Sequence, residues 1–565
     1  MLNKAIKHVS MNLNINKKKI ILIILSFFLF IPVSYSCTNF IVGKDASSDG
    51  SVMITYAADD YGMYGSLWHF SAGKHSADEM REVRCWDTNE YLGEIPEAPI
   101  TYNVVGNINE HQVAIGETTF GGREELVNEK GLLDYGSLIF IALQRSRTAS
   151  EAIEVMTSLV EKYGYCSEGE SFSIADKNEA WILEMIGKGP DEKGAVWVAV
   201  RIPDDCISAH ANQSRIHKFD LKDKENVMYS KDVIKFARKK GYFSGKDEDF
   251  DFANTYCPAD FSGLRFCEAR VWSFFNHWCD GMNNYLDYAS GKDLKAEPMP
   301  LYIKPKRKLS VHDLMNCMRD HYEGTPFDIT NDLGAGMYCS PYRPTPLTWE
   351  YNGKEYFNER PISTQQSAFV FVAQMRSDMP DAVGGILWFG NDDANMVPFT
   401  PMYCSITQVP QCFARETADA VTFSWNSAFW VSNWISNMVY PRYSMMFRDL
   451  EMVRNELDSM YLSQQKDIED KAIGLYHESP IKAVQYLTDY SNKVANEMHE
   501  RWKNLGIHLV VKYNDQVIKP EENGTFARTK AGLGKTVYRP GFPDNYKKAI
   551  IEQTKDKYLV PNSKR

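Results

Sequence analysis

The feature that most restricts this chain is a junction. An apolar run of fourteen residues, Ile20 to Val33, ends at Ser34-Tyr35-Ser36, and a strand-like segment begins at once with Cys37. Lys17, Lys18 and Lys19 precede the run, and small residues stand at 34 and 36, the positions that a signal peptidase reads. The run falls short of the ~20 residues needed to span a bilayer. Residues 1–36 are therefore expected to be a cleaved export signal, with the mature chain starting at Cys37 and working in the periplasm or outside the cell. Whatever folds must place its first residue at the head of a strand. Thr38-Asn39-Phe40-Ile41-Val42-Gly43, a polar loop closing on Asp49-Gly50, and Ser51 to Tyr56 read as a hairpin.

A cysteine at a free N-terminus carries a thiol and an α-amine on one residue, with ordinary pKa values of about 8.5 and about 7.7–8.0. The amine can take the proton of its own side chain, so one residue supplies both nucleophile and base. Two other readings stand beside this one. Lipidation of Cys37 would cap the sulfur and usually the nitrogen, making the chain an anchored, non-catalytic protein, although Ser34 stands where a lipoprotein motif carries Leu. Alternatively, Cys37 is an ordinary strand cysteine.

The 565 residues are 44% hydrophobic and 24% charged, enough to bury a large core. Acidic residues outnumber basic ones 74 to 63, which argues against a nucleic-acid partner. Of the eleven cysteines, Cys257 with Cys267 and Cys404 with Cys412 are near enough in sequence to pair, and free thiols fit as well. Gln112 to Ile115, Ser171 to Ala175, Ala180 to Met185, Val196 to Arg201, Phe369 to Val372 and Gly385 to Phe389 read as strands. Thr148 and Glu151 have the spacing of a capping box before Ala152, Ile153, Met156, Leu159 and Val160, and Gly164 ends that helix. From about Thr417, Trp425, Phe429, Trp430, Trp434, Met452, Leu457, Ala483, Leu487, Tyr490 and Val494 recur at helical spacing. The expected class is α+β, with a catalytic region over 37–416, a helical region over 417–510 packed on it, and an extension over 511–565.

Other motifs are set aside. Gly532-Leu533-Gly534-Lys535-Thr536 has Thr529 where a phosphate-binding loop needs glycine. The chain has no G-x-S-x-G, so a nucleophile-elbow serine hydrolase has no candidate serine, and no H-E-x-x-H or C-x-x-C, so no dedicated zinc site is expected. Asp392-Asp393 reads as a solvated turn, and the sequon at Asn212-Gln213-Ser214 is of a kind that arises by chance.

Cys37 to Lys44, with Ala46-Ser47-x-Asp49-Gly50-Ser51, resembles the mature start of the dipeptidase A family, cysteine peptidase family 69, within the N-terminal-nucleophile hydrolases. Asn109 to Ile115, Gly169 to Asp176 with Glu179 to Glu184, Arg319 to Pro326, and Ser427 to Trp430 are similar to further family segments, in order, up to about Asn437. The resemblance implies a four-layered αββα sandwich whose nucleophile begins an inner strand. It also implies hydrolysis of dipeptides through a thioester on Cys37, with no metal or cofactor. Looser similarity to penicillin acylase and bile salt hydrolase relatives implies that Asp59 holds the N-terminal amine, that Asn212 stabilises the oxyanion and that Arg270 lies near the nucleophile. Thr118-Thr119 stands where some relatives carry an oxyanion-binding Asn, so the similarity implies an oxyanion donor there that is a hydroxyl or a backbone N–H, the alternative being a plain strand end. One departure is visible: Tyr56-Ala57-Ala58 occupies the place of a frequent Arg-Asn-Glu. An amidase acting on N-acyl compounds is the enzymatic alternative. No motif identifies the group that accepts a dipeptide's α-amine.

Overall fold

Residues 39–42 and 52–59 have no exposed face, so the hairpin they form must lie inside the molecule. The computed structural model describes residues 37–561 and places it there; the expected export signal lies outside the described residues. The main strands are β1 (Asn39–Val42), β2 (Val52–Asp59), β3 (Ala114–Gly121), β4 (Gly169–Ala175), β5 (Ala180–Gly187), β6 (Ala195–Ile202), β7 (Ile207–His210), β8 (Ser367–Met375), β9 (Ile386–Asn391) and β10 (Thr400–Tyr403). One antiparallel sheet runs Tyr302–Ile303, β7, β1, β2, β8, β9, β10. The other runs Val227–Tyr229, β6, β5, β4, β3 and then three short strands, Ile108–Asn109, Val104–Val105 and His69–Phe70.

Strand alternation explains how the sheets stack. In β5, Ile182 and Ile186 join the core between the sheets, whereas Trp181, Leu183 and Met185 join a second core under two helices. Those helices are α1 (Tyr135–Arg145) and α2 (Ala149–Tyr163). Thr148 accepts from Glu151 N at 3.1 Å, and Gly164 closes α2 at φ 87°, a conformation that favours glycine. Glu151 reaches back to Arg147 N rather than to Thr148 N, so the box is displaced by one residue. On the far side, α3 (Ala269–Trp278) stacks Phe274 on Phe40 at 4.0 Å, and α4 (Ala428–Val439), α5 (Tyr443–Glu478) and α6 (Pro480–Tyr513) cover β9 and β10. The order of layers is helices, sheet, sheet, helices: an α+β sandwich with a helical C-terminal region.

Buried ion pairs anchor α5. Asp458 takes the Arg319 guanidinium at 2.7 Å and Phe399 N at 3.0 Å; Glu469 takes Arg376 at 2.6 Å; Arg454 donates to Asn395 O at 2.6 Å. Beyond α6 lie a hairpin of Glu521–Glu522 with Thr525–Phe526 and a largely exposed helix, α7 (Asp544–Thr554). Among the described residues no helix is long and apolar enough to cross a membrane.

Several local expectations are corrected. Gln112 is not in a strand: it turns at φ 65° and its amide bonds the Arg376 main chain, so β3 starts at Ala114 and runs to Gly121. Trp425 precedes α4 and is exposed, as is Met452 on α5. Asp392 and Asp393 are wholly buried and do not form a solvated turn. Ser436 (2.5 Å) and Asn433 (3.2 Å) donate to Asp392, Tyr342 (2.5 Å) and Ser363 donate to Asp393, and burial pushes Asp392 up to about 7. All eleven cysteines are free thiols, Cys257, Cys267, Cys404 and Cys412 included.

Candidate active site

Cys37 sits at the head of β1, 5% exposed, between the two sheets. Its main chain and its sulfur have different neighbours. Arg270, projecting from α3, donates through Nη1 to Cys37 O (2.6 Å) and Thr38 Oγ1 (2.7 Å), and through Nη2 to Ala211 O (2.9 Å) and Asn212 Oδ1 (2.9 Å). Its Nε is held by Phe266 O at 2.7 Å. A wholly buried guanidinium with its three nitrogens bonded is a rigid fork that joins α3, the start of β1 and the segment after β7. Asn212 has φ 68°, and its Nδ2 donates to Thr119 O at 2.8 Å. Arg270 and Asn212, which the sequence singled out separately, are thus direct neighbours, and the cation faces the Cys37 carbonyl rather than its sulfur.

The sulfur faces acid. Cys37 Sγ is 3.7 Å from Glu117 Oε1 and 3.8 Å from the Tyr56 hydroxyl, which donates to that same Glu117 oxygen at 2.5 Å. Burial, then the charges of Glu117 and Asp59, push the thiol well above its ordinary range, while the Asp59 main chain and the Tyr56 hydroxyl work the other way. Glu117 is itself pushed up to about 7, chiefly by burial.

Tyr56 and Glu117 meet because β3 lacks a neighbour on one side. Ile108 pairs with Ala114 and Asn107 bonds the Ile115 main chain, and beyond Ile115 no described strand pairs with the edge of β3 opposite β4. The Asn39 carboxamide fills this gap: oriented with its oxygen toward Glu117 N (3.0 Å) and its nitrogen toward Glu117 O (3.1 Å), it pairs with the Glu117 main chain as a strand would. Gly116 permits the approach, since a Cβ there would fall 2.7 Å from the Asn39 carboxamide and 3.1 Å from Tyr56 Cβ.

Asp59, at the end of β2, is bonded by Arg360 at one carboxylate oxygen and by Ser367 Oγ (2.6 Å) at the other, all three side chains being buried. Thr118 and Thr119 point differently from each other. The Thr118 hydroxyl meets His210 Nδ1 at 2.7 Å, and the other nitrogen of that ring meets Ser173 Oγ at 2.7 Å. Thr119 Oγ1 donates to Glu170 Oε1 at 2.8 Å. Both hydroxyls are therefore engaged away from Cys37.

Sequence reasoning missed Tyr56, Glu117, Glu170, Arg360 and Ser367. For Glu117 and Glu170 a signal existed: each is a lone acid in a strand otherwise built of apolar and small residues. For Arg360, 301 residues from Asp59, there was none.

A family model described as "Peptidase family C69" matches residues 36–456. A "Probable dipeptidase" of Latilactobacillus sakei is 25% identical over 495 residues, covering 84% of this chain and 95% of that protein. A "Probable dipeptidase" of Salmonella dublin is 25% identical over 391 residues, 65% of this chain and 81% of that one. A "Dipeptidase A" of Lactobacillus helveticus is 25% identical over 422 residues, 70% and 80% respectively.

Proposed function

We propose that this chain, which belongs to peptidase family C69, is an exported cysteine-type dipeptidase whose mature N-terminal residue, Cys37, is both nucleophile and base. The carrying observation is the division of labour at that residue: Arg270 clamps its carbonyl, while its sulfur lies against the Tyr56 hydroxyl and the Glu117 carboxyl, with no imidazole bonded to it among the described residues. A thiol pushed upward by burial and acid neighbours is not a standing thiolate, so its base must act during attack. The α-amine freed at the same residue meets that need.

In this reading the amine takes the thiol proton as Sγ bonds to the substrate carbonyl carbon. The oxyanion forms beside the Asn212 amide, a contact of the kind worth about 3–4 kcal/mol. Collapse breaks the C–N bond, the ammonium returns its proton to the leaving nitrogen, and a thioester remains. Water, deprotonated by the same amine, adds to the thioester and restores the thiol. Asp59 orients the amine. Because Arg360 balances the Asp59 charge, the carboxylate can do so without raising the amine far above neutrality.

Intact-mass analysis of the purified protein tests the premise: an unmodified chain starting at Cys37 is expected, and a different start or a fatty-acyl group on that nitrogen overturns it. Cys37→Ala should abolish hydrolysis of L-alanyl-L-alanine with folding intact, and Cys37→Ser should keep a weak residue of it.

A further inference from the structure

The reaction just described leaves the acid beside the sulfur without a task. Glu117 does not stand alone: Thr119 pairs with Glu170 across β3 and β4, and the Glu117 and Glu170 carboxyls interact with each other. Both side chains are at least nine-tenths buried. Of the four carboxyl oxygens, one accepts from Tyr56 and one from Thr119, while Oε2 of each residue has no donor among the described residues. Among the described residues no Lys, Arg or His forms an ion pair with either; the titratable groups that act on them include Cys37, Tyr56, Tyr135, Asp87, Tyr165 and Glu168, which bring no positive charge. Among the described residues the site brings together two acids and their hydroxyl donors, with no cation bonded to them.

We propose that the Glu117–Glu170 pair receives the α-ammonium group of the substrate and thereby restricts hydrolysis to peptides with a free amino terminus. This rests on the reading of Cys37 as nucleophile. Distance carries it. When Sγ is in attack contact with the scissile carbonyl carbon, about 3–3.5 Å away, the substrate nitrogen on the adjacent Cα lies only about 2.5 Å from that carbon. The Glu117 carboxyl, whose Tyr56-bonded Oε1 is 3.7 Å from Sγ and whose Oε2 is the donor-free atom, is therefore within hydrogen-bonding reach of a group at the α position. An ammonium brings three donors and one positive charge, against two donor-free oxygens and an uncompensated acidic pair. Asp59, the other acid near the sulfur, already has its charge balanced by Arg360 and its second oxygen bonded by Ser367. On binding, the proton held by the pair passes to solvent and the ammonium takes its place.

The test compares L-alanyl-L-alanine with N-propionyl-L-alanine, which is the same molecule without the amino group. The ratio of kcat/KM between them should exceed about 100 in the wild type, as buried polar groups left unpaired reject an analogue, and should collapse toward unity in Glu117→Gln. Glu170→Gln should reduce the ratio about 10-fold, and carries the test if Glu117→Gln does not fold. A fall of both substrates in parallel overturns the proposal, because the pair would then serve the enzyme's own amine or thiol. Calorimetric binding of the two compounds to Cys37→Ala, with and without Glu117→Gln, separates this idea from the catalytic one. A preference for the free amine that depends on Glu117 supports the site even if turnover fails, and equal affinities overturn it even if turnover succeeds.

Discussion

Tyr56 illustrates how much one hydroxyl can do in a buried site. It donates to Glu117 and lies beside the Cys37 sulfur, so Tyr56→Phe removes a buried donor while keeping the ring against Phe369 and Phe371. Loss of stability by about 1–3 kcal/mol is expected on chemical denaturation. The thiol should also become harder to ionise, so its alkylation by iodoacetamide at pH 8 should slow; an unchanged rate would deny the contact with sulfur. Legibility at this scale follows distance along the chain. The strand after Cys37 was readable because its apolar alternation and the closing Asp49-Gly50 turn are local in sequence. Tyr56 was visible only as a departure from a family pattern, because its partner Glu117 lies 61 residues away on the other sheet. Asp392 and Asp393 misled for the same reason: adjacent acids ordinarily sit in water, and the groups that bury these two come from Ser436, Asn433, Tyr342 and Ser363.

Elements are tied to one another by polar contacts as well as by the core. His210 on β7 bridges Thr118 on β3 and Ser173 on β4, and burial holds its pKa down to about 3. The folded ring stays neutral while the unfolded one protonates near its ordinary 6.5, so stability is complete above that value and declines as pH falls from about 6.5 toward about 3. The slope from this residue is at most about 1.4 kcal/mol per pH unit. The difference in unfolding midpoint between wild type and His210→Gln should therefore shrink, or change sign, as the solution is acidified through that window. The α5 anchor makes a second case. Asp458→Ala leaves Arg319 buried without its partner and should cost about 3–5 kcal/mol, whereas Arg319→Met with Asp458→Leu should cost much less; a double-mutant cycle reads the coupling. Helix α2 was legible because cap, apolar stripe and closing glycine are all local. The true start of β3 was not, because Gln112 is held in its turn by Arg376, 264 residues on.

At the scale of the molecule, the last part of the C-terminal extension contributes little to the fold, whereas Tyr513 and Ala527 nearer its start are buried. Residues 541–561 are exposed or half-buried throughout, so truncation after Pro540 should leave the melting temperature and the turnover of L-alanyl-L-alanine close to those of the full chain, as calorimetry and assay would show. The interior is where small changes travel. Gly116 has a hydrogen where any other residue has carbon, and there the facing layers, Asn39 and Tyr56 on one and Glu117 on the other, come together. A single methyl at that position would act as a shim, prising apart the Tyr56 and Glu117 side chains without replacing any atom that reacts. The closeness of sulfur to acid is governed by the thickness of one unreactive residue.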